Sequence, residues 1–209
     1  MYDDENEDRR LRTATPVVFK NLTRETAQDL QRLNQVIFPV RYSDKFYEDC
    51  AKSGSTTQLA YERTGSGSVG ACVGGIGCRL EMDPTRGGAR LYIATLGVYA
   101  PHRDGKIGSR MLQHALNEAS RDSFIKDAYL HVQVNNYAAV EFYERFGFAK
   151  GDVLKNYYKR IEPPDAVVLE RDLSDWAIVN LENVTFDRET SRIDGERGGE
   201  DDCEVVAIS

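Results

Sequence analysis

The sequence predicts an α/β domain on a mixed sheet, and three observations lead there. Two helical segments come first, followed by a run of β-rich apolar segments. The chain then alternates strand–helix–strand–helix–strand, which requires helices covering the faces of a partly parallel sheet. Both ends are charged and poor in core residues, so the folded part spans roughly 16–173.

The elements follow in order. "TRETAQDLQRLNQVIF" predicts a helix capped by Thr23, with Ala27, Leu30, Leu33 and Ile37 at helical spacing. "SDKFYEDCAK" predicts a second, capped by Ser43. "TQLAYE", "SVGACVGGIGCRLEM" and "ARLYIATLGVYA" read as strands, and "DPTRGG" supplies turn chemistry between the last two. Ile107, Met111, Leu112, Ala115, Leu116 and Ala119 line one face of the next helix. "DAYLHVQV" reads as a buried strand and "AAVEFYERFGF" as a helix ending at Gly147. "LKNYYKRI" and "AVVLERDL" are expected as two closing strands.

Composition narrows the function classes. A net charge of −7 argues against general nucleic-acid or anionic-membrane binding. No apolar run reaches membrane-spanning length, and "MYDDENEDRR" is too acidic for a signal peptide. Cys50, Cys72, Cys78 and Cys203 form no CxxC pair, which points away from a metal site and toward reduced thiols inside the cell. Residues 1–15 are expected as a disordered extension and 174–209 as an acidic, disordered tail.

The stretch "APHRDGKIGSRML" is where chemistry first shows. An apolar strand enters a glycine-bearing turn and then a helix, presenting free backbone N–H groups at the positive end of a helix dipole. That is an anion site, or else an ordinary strand–helix loop. A second strand–helix unit follows directly, so a ligand can lie in the gap between the two.

"YIATLGVYAPHRDGKIGSRML" followed by "LHVQVNNYAAVEFYERFGF" resembles the GCN5-related N-acetyltransferase (GNAT) superfamily, whose Arg/Gln-x-x-Gly-x-Gly/Ala turn wraps the pyrophosphate of acetyl-CoA. "RLNQVIFPVRYSDKFY", "LYIATLG", "YLHVQVNN" and "KNYYKRIEPPDA" are similar to the catalytic subunit of NatE-type N-alpha-acetyltransferases, over about 17–173. The resemblance implies a mixed, mostly antiparallel twisted sheet flanked by helices, whose central parallel strands splay to bind acetyl-CoA. It implies a cofactor set of Leu96, Gly97, Val98, Arg103, Asp104, Gly105, Lys106, Ile107, Gly108, Ser109, Asn136 and Tyr143, and no metal. Lys106 stands where the motif has its central glycine, with Gly105 one residue early. A side chain there crowds a diphosphate or adds a favourable charge, and both readings stay open.

The reaction so implied is attack of a protein α-amine on the acetyl thioester. An α-amine, with a pKa of about 8, is about a tenth neutral at pH 7; a lysine amine at about 10.4 is neutral only a few times in ten thousand. Weak bases therefore favour N-termini. Tyr92 and His131 are either half-buried strand residues with satisfied polar tips or, by the resemblance, the groups that take the proton through water. Asn136 reads as a helix N-cap and, by resemblance, a pantetheine contact; Tyr143 reads as core beside Phe142 and Phe146, or as a hydrogen bond to the departing sulfur.

"IFPVRY" and "NYYKRI" are unusually apolar for loops. They are loops tucked under the core, or, by resemblance, the wall that grips a first methionine: Phe38, Pro39, Val40, Tyr42, Tyr157, Tyr158 and Ile161, with Ala94 on the strand. The resemblance also implies partnership with the NatA auxiliary and catalytic subunits, ribosome association, and a cytoplasmic or additionally nuclear place. The rival expectation is a catalytically weak or inactive subunit of that assembly, with Lys106 in its favour. A lysine or small-molecule acetyltransferase is a third, disfavoured by the paired aromatic loops.

Overall fold

A computed structural model of the chain describes residues 16–178 and the pair 207–208. The rest of the two flanking segments, Cys203 included, lies outside the described residues. The sheet runs β1 (Val17–Asn21), β2 (Gln58–Arg63), β3 (Val69–Asp83), β4 (Gly88–Val98), β5 (Ile125–Gln133), β7 (Ala166–Asp172), β6 (Ala149–Leu154). Among the described residues only β4 and β5 pair in parallel; the other pairings are antiparallel, including a short β8 (Ala207–Ile208) beside β4.

Helices cover both faces. On one face, α1 (Ala27–Ile37) and α2 (Asp44–Lys52) enclose Leu30, Leu33, Phe46 and Cys50 against Leu59, Tyr61, Tyr92 and Ala94. On the other, α3 (Ile107–Ser120) and α4 (Tyr137–Arg145) pack on Ile93, Leu96, Val98, Leu130 and Val132. The six α3 positions predicted as its apolar face are all buried. Met111, Leu112, Leu116 and Ile107 contribute on the order of 2 kcal/mol each by leaving water.

Parallel pairing of β4 with β5 is short, from Ala89↔Ile125 to Tyr92↔Tyr129. Charge locks its closed end. Asp127, nearly buried, receives Arg90 Nε at 2.6 Å and Arg86 Nη1 at 2.8 Å, and Arg90 Nη2 reaches Glu170 at 2.7 Å. Beyond Tyr92 a bulge intervenes: Cys78 pairs with Ile93 and Gly77 with Thr95, leaving Ala94 as an extra residue on β4. There the two strands part.

Several elements differ from expectation. The first helix starts at Ala27, because Thr23 and Thr26 hydrogen-bond each other in the preceding turn (Thr23 N to Thr26 Oγ1, 3.0 Å). Residues 155–165, expected partly as a strand, form a loop. Asn156 takes φ 56°, and Asp165 ties the turn by accepting from Asn156 N at 2.9 Å and Lys155 Nζ at 2.6 Å. The strand before it is 149–154, an edge exposed on both faces, so it carries no apolar alternation. Strand β1 was not expected either. Ser43 caps α2 through Phe46 N, and Gly147 follows α4 at φ 79°, both as predicted.

Candidate active site

Across the α1/α2 face, strand register sets Arg79 opposite Tyr92 and Tyr92 opposite Tyr129, with His131 two residues further along β5 on the same side. Tyr92 Oη lies 3.2 Å from His131 Nδ1. Tyr157, arriving from the 155–165 loop, brings its own hydroxyl to 3.2 Å from the same nitrogen and stacks on the imidazole with centroids 4.5 Å apart. Glu81 accepts from the Tyr129 hydroxyl and from Arg79 Nε, and the Arg79 guanidinium lies over the Tyr92 ring. Burial lowers the His131 pKa below its ordinary value, with Arg79 and Arg90 pushing the same way and Glu81 opposing. His131 is therefore a neutral imidazole at pH 7, able to accept a proton.

The apolar loops converge on this pair. Phe38, Tyr158 and Ala166 form a buried cluster, with Val40, Tyr42, Tyr157 and Ile161 packed against it. Pro39 is exposed and stays outside that cluster. Gly97 lies close under the end of α1: a Cβ there would stand 2.9 Å from Ile37 Cδ1, whose side chain would have to turn aside. Ala94, at the bulge, is fully buried beneath the α1/α2 layer.

On the opposite side of the strand parting, a 3-10 turn (Ala100–Gly105) leads into α3. Lys106 adopts φ 52° and ψ 26°, the left-handed conformation a glycine takes most easily. The lysine therefore holds a glycine-like bend, at a cost of about 1 kcal/mol. Arg103 Nε donates to Val98 O at 3.1 Å and draws the turn onto the end of β4. The first helical bond runs from Arg110 N to Lys106 O, so the N–H groups of Ile107, Gly108 and Ser109 project beyond the helix end. Of Asp104 only the backbone lies within the described residues.

From α4, Asn136 caps the helix by accepting from Ala139 N at 3.2 Å, as one reading of it expects. Tyr143 is fully buried, its ring packed on Phe142 and Phe148 rather than Phe146, and its hydroxyl has no hydrogen-bond partner among the described residues. Burial pushes its pKa well above 10, so it remains a donor. A projecting row of amides and an unsatisfied buried hydroxyl together suit a diphosphate-bearing acyl thioester. Among the described residues no group of His, Cys, Asp or Glu has the arrangement to hold a metal ion.

Sequence reading missed Tyr129, Glu81 and Arg79. The signal was present: Tyr129 and His131, like Arg79 and Glu81, stand two apart on strands and so share a face. It also left Tyr157 with the substrate loops, without its contact to His131.

A parallel pair that parts over a phosphate-type turn, with a histidine and tyrosines at the fork, is the build of an acyl-CoA-dependent N-acetyltransferase. The chain belongs to the acetyltransferase (GNAT) family, whose model matches residues 24–148. It is 46% identical to N-alpha-acetyltransferase 50 of Danio rerio, over 73% of this chain and 86% of that one. It is 42% identical to the probable N-acetyltransferase san of Drosophila melanogaster, over 77% and 83%. The solved structure of Arabidopsis thaliana Naa50 in complex with the bisubstrate analogue CoA-Ac-MVNAL superposes with a TM-score of 0.67 at 43% identity, covering 74% of this chain and 97% of that one.

Proposed function

We propose that this chain transfers the acetyl group of acetyl-CoA to the α-amine of proteins beginning with methionine. One observation carries the reading. Tyr157 belongs both to the apolar cluster of Phe38, Val40, Tyr158 and Ile161 and to the contact with His131 Nδ1, so grip on a first side chain and acceptance of a proton lie side by side. The Naa50 structure, 43% identical and holding an analogue with a Met-starting peptide, supports the same substrate class.

Acetyl-CoA supplies an activated acyl group and a thiolate that departs as the nitrogen–carbon bond forms. His131, neutral through burial, accepts the amine proton, relayed by water with Tyr92 orienting it. Tyr143 is the donor toward the leaving sulfur, because its hydroxyl is buried, protonated and uncommitted. The amides of Ile107, Gly108 and Ser109 hold the diphosphate end, and the backbone of Leu96 to Val98 with Asn136 holds the carrier arm. The paired aromatic loops favour a free chain terminus over a lysine on a folded loop, since their rings suit an apolar first side chain and their hydroxyls its backbone.

Lys106 does not favour the inactive-subunit reading, since its backbone already has the shape a glycine would give. We further read the chain as a cytoplasmic, also nuclear, protein carried to the ribosome by the NatA auxiliary and catalytic subunits. That part rests on the NatE-type motifs, and co-purification of those subunits with the tagged full chain tests it. The activity is tested with acetyl-CoA and a Met-Leu peptide, against the same peptide with a blocked N-terminus and a free lysine. Acetylation of the free N-terminus alone is expected; acetylation of the lysine overturns the substrate assignment.

A further inference from the structure

Past Tyr92↔Tyr129, β4 leaves β5, and the strand edge so exposed would carry unpaired main-chain groups in an apolar cleft. The chain fills that edge with itself. Ala207 and Ile208 pair antiparallel with Leu96 and Thr95 of β4, and β8 also lies against β5, so it stands within the fork. The segment suits the place. After the acidic run "GEDD" the sequence turns to "CEVVAIS", with β-branched residues that favour an added strand. Leu96 is among the residues whose backbone would hold the acyl carrier, so strand and carrier compete for the same edge.

We infer that the β4–β5 fork is a strand-binding site whose resident ligand is the C-terminal segment of this chain, and that this segment must leave before acetyl-CoA is taken up. Only the identity of the displaced ligand rests on the function proposed above. A tethered strand holding the fork nine-tenths of the time raises the apparent Kd for acetyl-CoA about tenfold, because only the open fraction binds. Uptake of acetyl-CoA would in turn release the C-terminus, which becomes a reporter of occupancy.

The test compares three forms by calorimetry with acetyl-CoA and by steady-state kinetics at saturating peptide: the full chain, a chain ending at Asp202, and the double variant A207P/I208P. Proline removes the N–H that the ladder needs, and neither position belongs to the catalytic or cofactor set. Both altered forms are expected to bind acetyl-CoA about three- to tenfold more tightly with kcat unchanged. A synthetic peptide of residues 203–209 should compete with acetyl-CoA for the truncated chain. Equal Kd in all three forms overturns the inference. A gain that vanishes on dilution also overturns it, since the strand would then come from a second copy. Tighter binding without turnover in any form sinks the proposed activity and leaves the strand site standing; normal turnover with equal Kd does the reverse.

Discussion

The Tyr157 hydroxyl lies 3.2 Å from His131 Nδ1 while its ring stacks on the same imidazole, so a loop residue and a strand residue act as one unit. The Tyr92 hydroxyl lies at the same distance from that nitrogen. A neutral imidazole nitrogen presents one lone pair or one proton, so the two hydroxyls share a single site.

Removing one hydroxyl should therefore act on turnover rather than binding. Tyr157→Phe keeps the stacked ring and the apolar cluster, and kcat is expected to fall about tenfold with the peptide KM little changed. Tyr157→Ala also opens the cluster and raises the peptide KM. A Phe variant that moves only KM would show that the hydroxyl grips the peptide and has no part in proton transfer.

The lowered pKa of His131 fixes a sign. Its folded value lies below the unfolded value near 6.5, so its contribution to stability is present above that pH and is lost as pH falls through the folded value. Urea unfolding between pH 7 and 5 should show this loss, and His131→Gln should reduce the slope. In kinetics, kcat/KM should climb toward pH 8 as the amine deprotonates, and below pH 6.5 a second proton should steepen the acid limb.

Lys106→Gly relieves the left-handed lysine without altering the bend. An increase of about 1 kcal/mol, or about 2–4 °C in Tm, is expected. Acetyl-CoA affinity should change by no more than about threefold, the worth of one charge with access to solvent. A much larger gain in affinity would mean that the lysine side chain obstructs the turn.

Tyr143→Phe separates stability from chemistry. Removing a buried hydroxyl that has no partner relieves a desolvation cost of about 1–3 kcal/mol, so thermal stability should hold or rise. Meanwhile kcat should drop with acetyl-CoA binding retained. Loss of stability together with activity would make Tyr143 a packing residue only.

Much of this was legible in the chain because its strongest signals are local. The apolar face of α3, the Ser43 cap, Asn136 before α4 and the glycine-bearing turn all follow from spacing over a few residues. What was not legible depends on register between distant strands. Glu81 meets Tyr129 only because β3, β4 and β5 align, and Tyr157 meets His131 only because the 155–165 loop folds back over β5. The edge strand 149–154 escaped notice for another reason: with both faces exposed, nothing selects alternating residues there.

The extra residue at Ala94 has a consequence for how β4 tolerates change. Side chains along an unbroken strand keep one phase, so Tyr92, Leu96 and Val98 would all point the same way. The insertion resets that phase: Tyr92 stays with the α1/α2 layer, while Leu96 and Val98 turn to the α3 layer. Substituting Ala94 by serine should be a minor perturbation. Deleting it should leave every downstream side chain on its present face, since the pairing with β3 already passes over Ala94, and should instead straighten the strand where it turns away from β5.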